Sequence, residues 1–425
     1  MAGIKIENAR IIDPATERDE TGCLCIEQGK IVTEESMKAI DTIIDAQEKW
    51  VCPGIIDICA YMSNPGQDFK ASFTNESLTA VASGITSIAC PPDIHPLIDN
   101  PAAVEMILRS ASDTGKVKVF PIGALTEGLK GERLSEMHTL KEAGCIAVGN
   151  ATRPLLNNEI LRRTMEYAAS TDLTIFYSPE DPYLRNNGTI NEGEISTRLG
   201  LPPVPHTAET VAVSTAILLM EQTGARLHFN SLSTSRSVDM VRKAKADGLP
   251  ITAAVDICHL YLTDMDVDNY NASCHLVPPL RDIEDKNALW MGVLDGTIDA
   301  VCSAHQPISL DAKAVPFTMT TPGASTIEMF LPLLLDFMSK NKRDPINGLR
   351  LVTENTAKII KQPLGSLKPG SAADIIIFDP DTSWTADVSQ LLSKGMSTPF
   401  ANWQLQGKVT HTIIDGAIVY QNDQA

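Results

Sequence analysis

Between about residues 51 and 345, short apolar runs alternate with amphipathic stretches eight times over. The runs are Gly54–Ala60, Thr86–Cys90, Val117–Gly123, Cys145–Gly149, Leu173–Tyr177, Arg226–Ser231, Pro250–Val255 and Asp299–Ser303. Strands so uniformly apolar are buried on both faces, which is the habit of parallel sheets. Each is followed by a segment of helical periodicity: Ser72–Ser83, Pro101–Thr114, Ser135–Ala143, Asn157–Ser170, Thr207–Thr223, Ser235–Ala246, Glu284–Leu294 and Ala324–Lys340. Gly84, Gly115, Gly144, Gly224 and Gly248 stand where such helices should end, because glycine accepts the left-handed conformation of a C-terminal cap. Eight strand–helix units predict an α/β fold, a (β/α)8 TIM barrel over residues 51–360. A doubly wound sheet gives a similar alternation and stays open on periodicity alone.

The two ends read differently. Residues 3 to 50 and 365 to 425 carry short strand-like runs with turn signals such as Asp13-Pro14 and Gln28-Gly29. They predict one small β-sandwich domain assembled from residues 1–50 and 361–425. The segment Pro307–Pro322, after the last barrel run, is expected to loop over the barrel mouth.

At 425 residues with 43% hydrophobic and 21% charged residues, the chain can bury a large core. Its 35 basic and 53 acidic side chains leave a net charge of −18, a field that repels nucleic acid and anionic membrane surfaces. No apolar run approaches the roughly 18 to 20 residues that cross a bilayer. The start alternates like a strand and has no basic, apolar leader. The nine cysteines are scattered, and Cys90, Cys145, Cys258 and Cys302 sit inside apolar runs, as free thiols of a reducing compartment do. A cytoplasmic protein is expected.

The run VCPGIIDICAYMSNPG, Val51 to Gly66, frames a buried strand ending in Asp57-Ile58-Cys59-Ala60-Tyr61 and a turn through Asn64-Pro65-Gly66. With it go Glu180-Asp181, Ala208-Glu209-Thr210, Thr223-Gly224-Ala225-Arg226, Pro278-Pro279-Leu280-Arg281, Gly365-Ser366-Leu367-Lys368-Pro369-Gly370, Ala373-Asp374-Ile375 and Phe378-Asp379-Pro380. This set resembles the dihydroorotases and other cyclic amidohydrolases, from about residue 3 to residue 420. The resemblance implies a barrel of amidohydrolase type whose mouth holds metal. A bound metal polarises the amide carbonyl and activates water, and a carboxylate passes the proton to the leaving nitrogen.

The positions that should do this chemistry hold other residues. The family's first His-x-His pair is Cys59 and Tyr61, and its carboxylate-binding arginine is Ser63. The asparagine after strand two is Pro92, in Cys90-Pro91-Pro92-Asp93. Strand four leads to Asn150-Ala151-Thr152 instead of a carboxylate or a lysine. The strand-five histidine is Ser178 and the metal-facing strand-six histidine is Ser231. The asparagine before Pro278 is Val277, and the catalytic aspartate after strand eight is Ala304. No catalytic, cofactor-binding or metal residue is therefore assigned.

Substitute ligands remain to be weighed: Cys59 as thiolate, Asp57, His228 and His305. His228 lies three residues before Ser231, so strand alternation puts it outside the barrel. His305 is expected to hydrogen-bond within its loop, and Tyr61 to fill vacated space. His95, His138, His206, His259, His275 and His411 are scattered and receive no chemical role. Four imidazoles without their cation would be buried polar groups lacking partners, so neutral replacements are what a metal-free barrel needs. The resemblance implies a dihydroorotase-like pseudoenzyme, a hetero-oligomeric structural partner of aspartate carbamoyltransferase catalytic chains in pyrimidine biosynthesis, with no cofactor. The alternatives are an active zinc amidohydrolase with unconventional ligands, interconverting N-carbamoyl-L-aspartate and dihydroorotate, and a metabolite-binding module.

Overall fold

The computed structural model describes residues 3–62, 69–155 and 157–422. Eight strands, β1 (Ile55–Asp57), β2 (Ile85–Cys90), β3 (Lys118–Ala124), β4 (Ala147–Gly149), β5 (Thr174–Tyr177), β6 (Arg226–Phe229), β7 (Ile251–Asp256) and β8 (Ala300–Cys302), pair in chain order. Every pairing is parallel. The helices that follow them are α1 (Phe69–Ala82), α2 (Pro101–Thr114), α3 (Met137–Ala143), α4 (Asn158–Ser170), α5 (Thr207–Thr223), α6 (Ser235–Ala246), α7 (Ile283–Leu294) and α8 (Ile327–Lys340). This is the (β/α)8 barrel that the alternation predicted.

Residue parity divides the core. Ile56, Ala89, Ile122, Ala147, Phe176, Ala254, Ala300 and Cys302 point into the barrel, which Ala357, Ile359 and Ile360 close at one end. Ile55, Ile88, Val119, Val148, Ile175, Leu227, Phe229, Val255 and Val301 face the helices. Strands with both faces buried need apolar residues at consecutive positions, which is why the runs are continuous.

Eight parallel strands become a barrel only when the first meets the last. β1 and β8 share no ladder of their own. Beyond their ends Ala60 and His305 form a parallel bridge, with the Tyr61 amide 2.8 Å from the His305 carbonyl. Between them the buried Asp57 carboxylate accepts the Ser303 hydroxyl, the Ser303 amide at 3.3 Å and the Cys59 amide at 3.2 Å. A side chain of β1 thus completes the seam.

The ends of the chain build a second sheet. Its strands run in the order Ala417–Gln421, Gln404–Ile414, Ile375–Thr385, Trp50–Pro53, Ile4–Asp13, Arg18–Glu27 and Lys30–Val32, with Thr42–Asp45 also beside Ile4–Asp13. Ile4, Ile6, Ile11, Leu24, Ile26, Ile375, Ile377 and Ile413 give it a core of its own. Trp50–Pro53 belongs to this sheet, so the passage into the barrel falls at Gly54. A Cβ there would lie 2.2 Å from the Thr86 hydroxyl oxygen, so only glycine lets the chain cross. Among the described residues, no helix is long and apolar enough to cross a membrane.

Replacing Asp57 by alanine strands the Ser303 hydroxyl and two amides at the seam. Asp57→Ala is expected to lower unfolding free energy by about 2 to 3 kcal/mol, from the loss of partners for buried donors. Burial pushes the Asp57 carboxyl up, so the neutral Asp57→Asn should lose less than half as much in urea denaturation.

Candidate functional site

The strands end around a cavity of about 240 Å³. Six of the positions singled out from sequence line it, five of them at strand ends: Cys59 and Tyr61 past β1, Ser178 past β5, Ser231 past β6 and Ala304 past β8. Val277 joins them from the loop before α7. After β2 it is Pro91, and not Pro92, that lines the cavity; the Pro92 carbonyl instead accepts the Ile98 amide at 3.0 Å. Ser63 lies outside the described residues, as do Asn64, Pro65 and Gly66.

Asn150 is not part of the wall. It is buried, and its side-chain amide donates to the carbonyls of Ser178 and Arg153, both at 3.1 Å, while its oxygen accepts the Ser178 amide at 2.9 Å. It ties the end of β4 to the end of β5. Tyr61 does more than occupy space, since its hydroxyl hydrogen-bonds the Asp93 carboxyl, which Thr152 also reaches at 2.9 Å. Burial pushes both Tyr61 and Asp93 up.

Two histidine expectations are corrected. His228 points into the barrel, with its ring 4.7 Å from that of Phe176 and its Nδ1 2.8 Å from the Thr252 hydroxyl. The alternation argument from Ser231 fails because β6 stops at Phe229 and Ser231 has φ of 49°, so the chain turns before parity can apply. His305 reaches beyond its loop: it is fully buried, Nδ1 accepts the Thr326 amide at 3.2 Å, and Nε2 sits 3.1 Å from Glu76 on α1. Burial pushes Glu76 up, but the hydrogen bond and charge of His305 outweigh this and hold it below the usual range. Of the segment Pro307–Pro322, Pro322 reaches the mouth, where it lines the cavity with the flanking Gln306 and Gly323.

Sequence reasoning missed Asp256. This carboxylate closes β7 and lines the cavity, one residue past the apolar run that marked the strand. Ser231 Oγ donates to it at 2.5 Å and Cys302 Sγ at 3.2 Å. Cys302 in turn hydrogen-bonds Cys59, and that contact together with burial pushes its thiol well up. The Glu180–Arg185 pair, at 3.0 Å, forms another part of the wall, with Arg153 and Asn230 beside it.

These groups do not fit the metal centre that the family resemblance implies. The Cys302 thiol is held protonated where a cation wants thiolate, and Asp256 Oδ1 is already taken by two donors, Ser231 and Cys302. Among the described residues, one set of three His, Cys, Asp or Glu ligand atoms lies mutually within 4.8 Å, and it is His206, Asp282 and Asp285. None of those lines the cavity.

A parallel barrel with its cavity at the strand ends, joined to a sheet drawn from both termini, defines an amidohydrolase-type architecture. Residues 48–237 match the dihydro-orotase-like family model and residues 195–420 match the amidohydrolase family model. The chain is 39% identical to a "dihydroorotase-like protein" of Pseudomonas aeruginosa, over 98% of this chain and 99% of that one. It is 37% identical to a "dihydroorotase" of Syntrophotalea carbinolica, with the same coverage. Among solved structures, L-hydantoinase (dihydropyrimidinase) from Arthrobacter aurescens superposes with a TM-score of 0.87 at 22% identity, covering 99% of this chain and 96% of that one. Dihydropyrimidinase from Brevibacillus agri NCHU1002 gives 0.83 at 21% identity, covering 99% and 95%. The chain belongs to the dihydroorotase-like amidohydrolase family.

Burial, with a smaller contribution from Lys245, lowers the His228 pKa to about 3. The unfolded chain protonates this imidazole near pH 6.5, so its neutral burial contributes stability that is complete above that pH and is lost as pH falls towards 3. Between pH 7 and pH 5 the loss assigned to His228 is about 2 kcal/mol. Urea midpoints of wild type and His228→Gln should therefore diverge on acidification, with the variant showing the shallower profile; parallel profiles would refute the assignment.

Proposed function

We propose that this protein is a dihydroorotase-like chain without hydrolase activity, and that it serves as a structural partner for aspartate carbamoyltransferase catalytic chains in pyrimidine biosynthesis. The observation that carries the first part is the state of the mouth. Of its carboxylates, Asp256 has Oδ1 taken by Ser231 and Cys302 and Glu180 is paired with Arg185, while the strand ends offer Cys59, Tyr61, Ser178, Ser231 and Ala304 around them. A hydrolase of cyclic amides needs an activated water and a polarised carbonyl. The thiol, hydroxyls and methyl at the strand ends supply neither. What supports the second part is the whole-length resemblance together with the net charge of −18, which suits a protein partner better than a polyanion.

One observation favours a second reading. Several relatives of similar identity, including that of Syntrophotalea carbinolica, carry the name dihydroorotase. An active enzyme with unconventional ligands at the mouth would be consistent with those names.

Turnover separates the two. The purified chain should neither cyclise N-carbamoyl-L-aspartate nor open dihydroorotate above the uncatalysed rate, with or without added Zn2+. Mixed with the aspartate carbamoyltransferase of the same cell, it should sediment as a larger complex than either protein alone. Measurable turnover abolished by Asp256→Asn would establish the second reading, and independent sedimentation would remove the partner.

A further inference from the structure

Away from the mouth, three groups able to hold a cation converge where two helices begin. His206 directly precedes α5, Asp282 is the N-cap of α7, and Asp285 lies in the first turn of α7. Their ligand atoms lie mutually within 4.8 Å, with His206 Nε2 and Asp285 Oδ2 3.2 Å apart.

The condition of Asp285 is the independent observation. The residue is 1% exposed, and its Oδ1 accepts the Ser235 amide at 2.7 Å. Its Oδ2 is buried without a hydrogen bond and is aimed at His206. A buried carboxylate oxygen in this condition is unfavourable unless something positive meets it. Asp282 also has an oxygen to give, because Oδ1 alone caps the helix, accepting the amides of Glu284 at 2.9 Å and Asp285 at 3.0 Å. His206 has a side-chain exposure of 40%, which opens a path from solvent and room for water ligands.

We propose that His206, Asp282 and Asp285 bind one Zn2+ ion that pins the start of α5 to the start of α7. The chemistry of the donors selects the metal. One imidazole and two carboxylates carry a formal charge of −2 with neutral histidine, balancing a divalent cation. The nitrogen ligand favours zinc over Mg2+ or Ca2+, which prefer all-oxygen shells. Both helices present their positive ends here, which opposes a cation, and the two aspartates offset that field. Ligation through Nε2 replaces the present 3.1 Å contact of His206 with Asn191 Oδ1, an oxygen that keeps Arg281 as a donor at 3.0 Å. The site is independent of the mouth, whose wall contains none of the three residues.

The test uses the full chain, stripped with chelator and then titrated with Zn2+ under equilibrium dialysis, bound metal being read by mass spectrometry. The expected result is one zinc per chain, a higher thermal midpoint with zinc, and no displacement by Mg2+. His206→Ala and Asp282→Asn, which keeps an N-cap side chain, should each weaken zinc binding by at least about tenfold. Cys59→Ser should leave it unchanged. No bound zinc, or zinc retained undiminished by His206→Ala, overturns the proposal. Zinc lost with Cys59→Ser instead would place the metal at the mouth, overturning this site and weakening the non-hydrolytic reading together; turnover in a His206→Ala background would weaken that reading alone.

Discussion

Within the strands themselves, closure of the barrel rests on a carboxylate, that of Asp57. β1 and β8 are three-residue strands with no ladder between them, and Asp57 spans the gap by accepting from Ser303 and Cys59. The same seam carries the Ala60–His305 bridge and the contact between Cys59 and Cys302. Through Cys302 it reaches Asp256, and through His305 it reaches Glu76 on α1 and the start of α8. The polar groups on this side of the mouth are therefore engaged in holding the barrel shut. That is a physical reason for their unreadiness to bind a cation, beyond their chemical identity.

This arrangement also accounts for how a barrel can keep its shape with such replacements at its mouth. Where a cation would draw strand ends together by ligation, here hydrogen bonds between neighbouring ends do so. Asn150 joins β4 to β5, Ser231 joins β6 to β7, and Asp57 joins β1 to β8. Each bond is short-range and needs no ion, and the side chains that make it have partners where they are buried.

The architecture was legible because the barrel imposes its period on the sequence. The helices Pro101–Thr114, Thr207–Thr223 and Ser235–Ala246 run as their patterns predict, since each has an apolar face against the strands and a clear end. Some strands are shorter than their runs: Cys145–Gly149 contains only Ala147–Gly149 as strand, because apolarity extends past the hydrogen-bonded portion. The helix Glu194–Leu199 and the two-residue strands Ile190–Asn191 and Pro203–Val204 escaped notice, being too short to show a period. At the site, the mouth positions could be counted from strand ends, but their partners could not. Asp256 fell just beyond an apolar run, and the left-handed Ser231 broke the parity from which the direction of His228 was read. The meeting of His206 with Asp282 and Asp285 is set by the packing of two helix starts far apart in the chain.

The terminal sheet interleaves the two ends of the polypeptide: Trp50–Pro53 lies between Ile4–Asp13 and Ile375–Thr385, pairing Val51 with Ile377. A ribosome synthesises the first of these segments long before the last. The early strands must then wait, with one flank of Trp50–Pro53 open, while the whole barrel emerges and folds between them. Completion of this sheet is thereby the final act of biogenesis, and a nascent chain halted before Ile375 would expose an unpaired β-edge to the quality-control machinery.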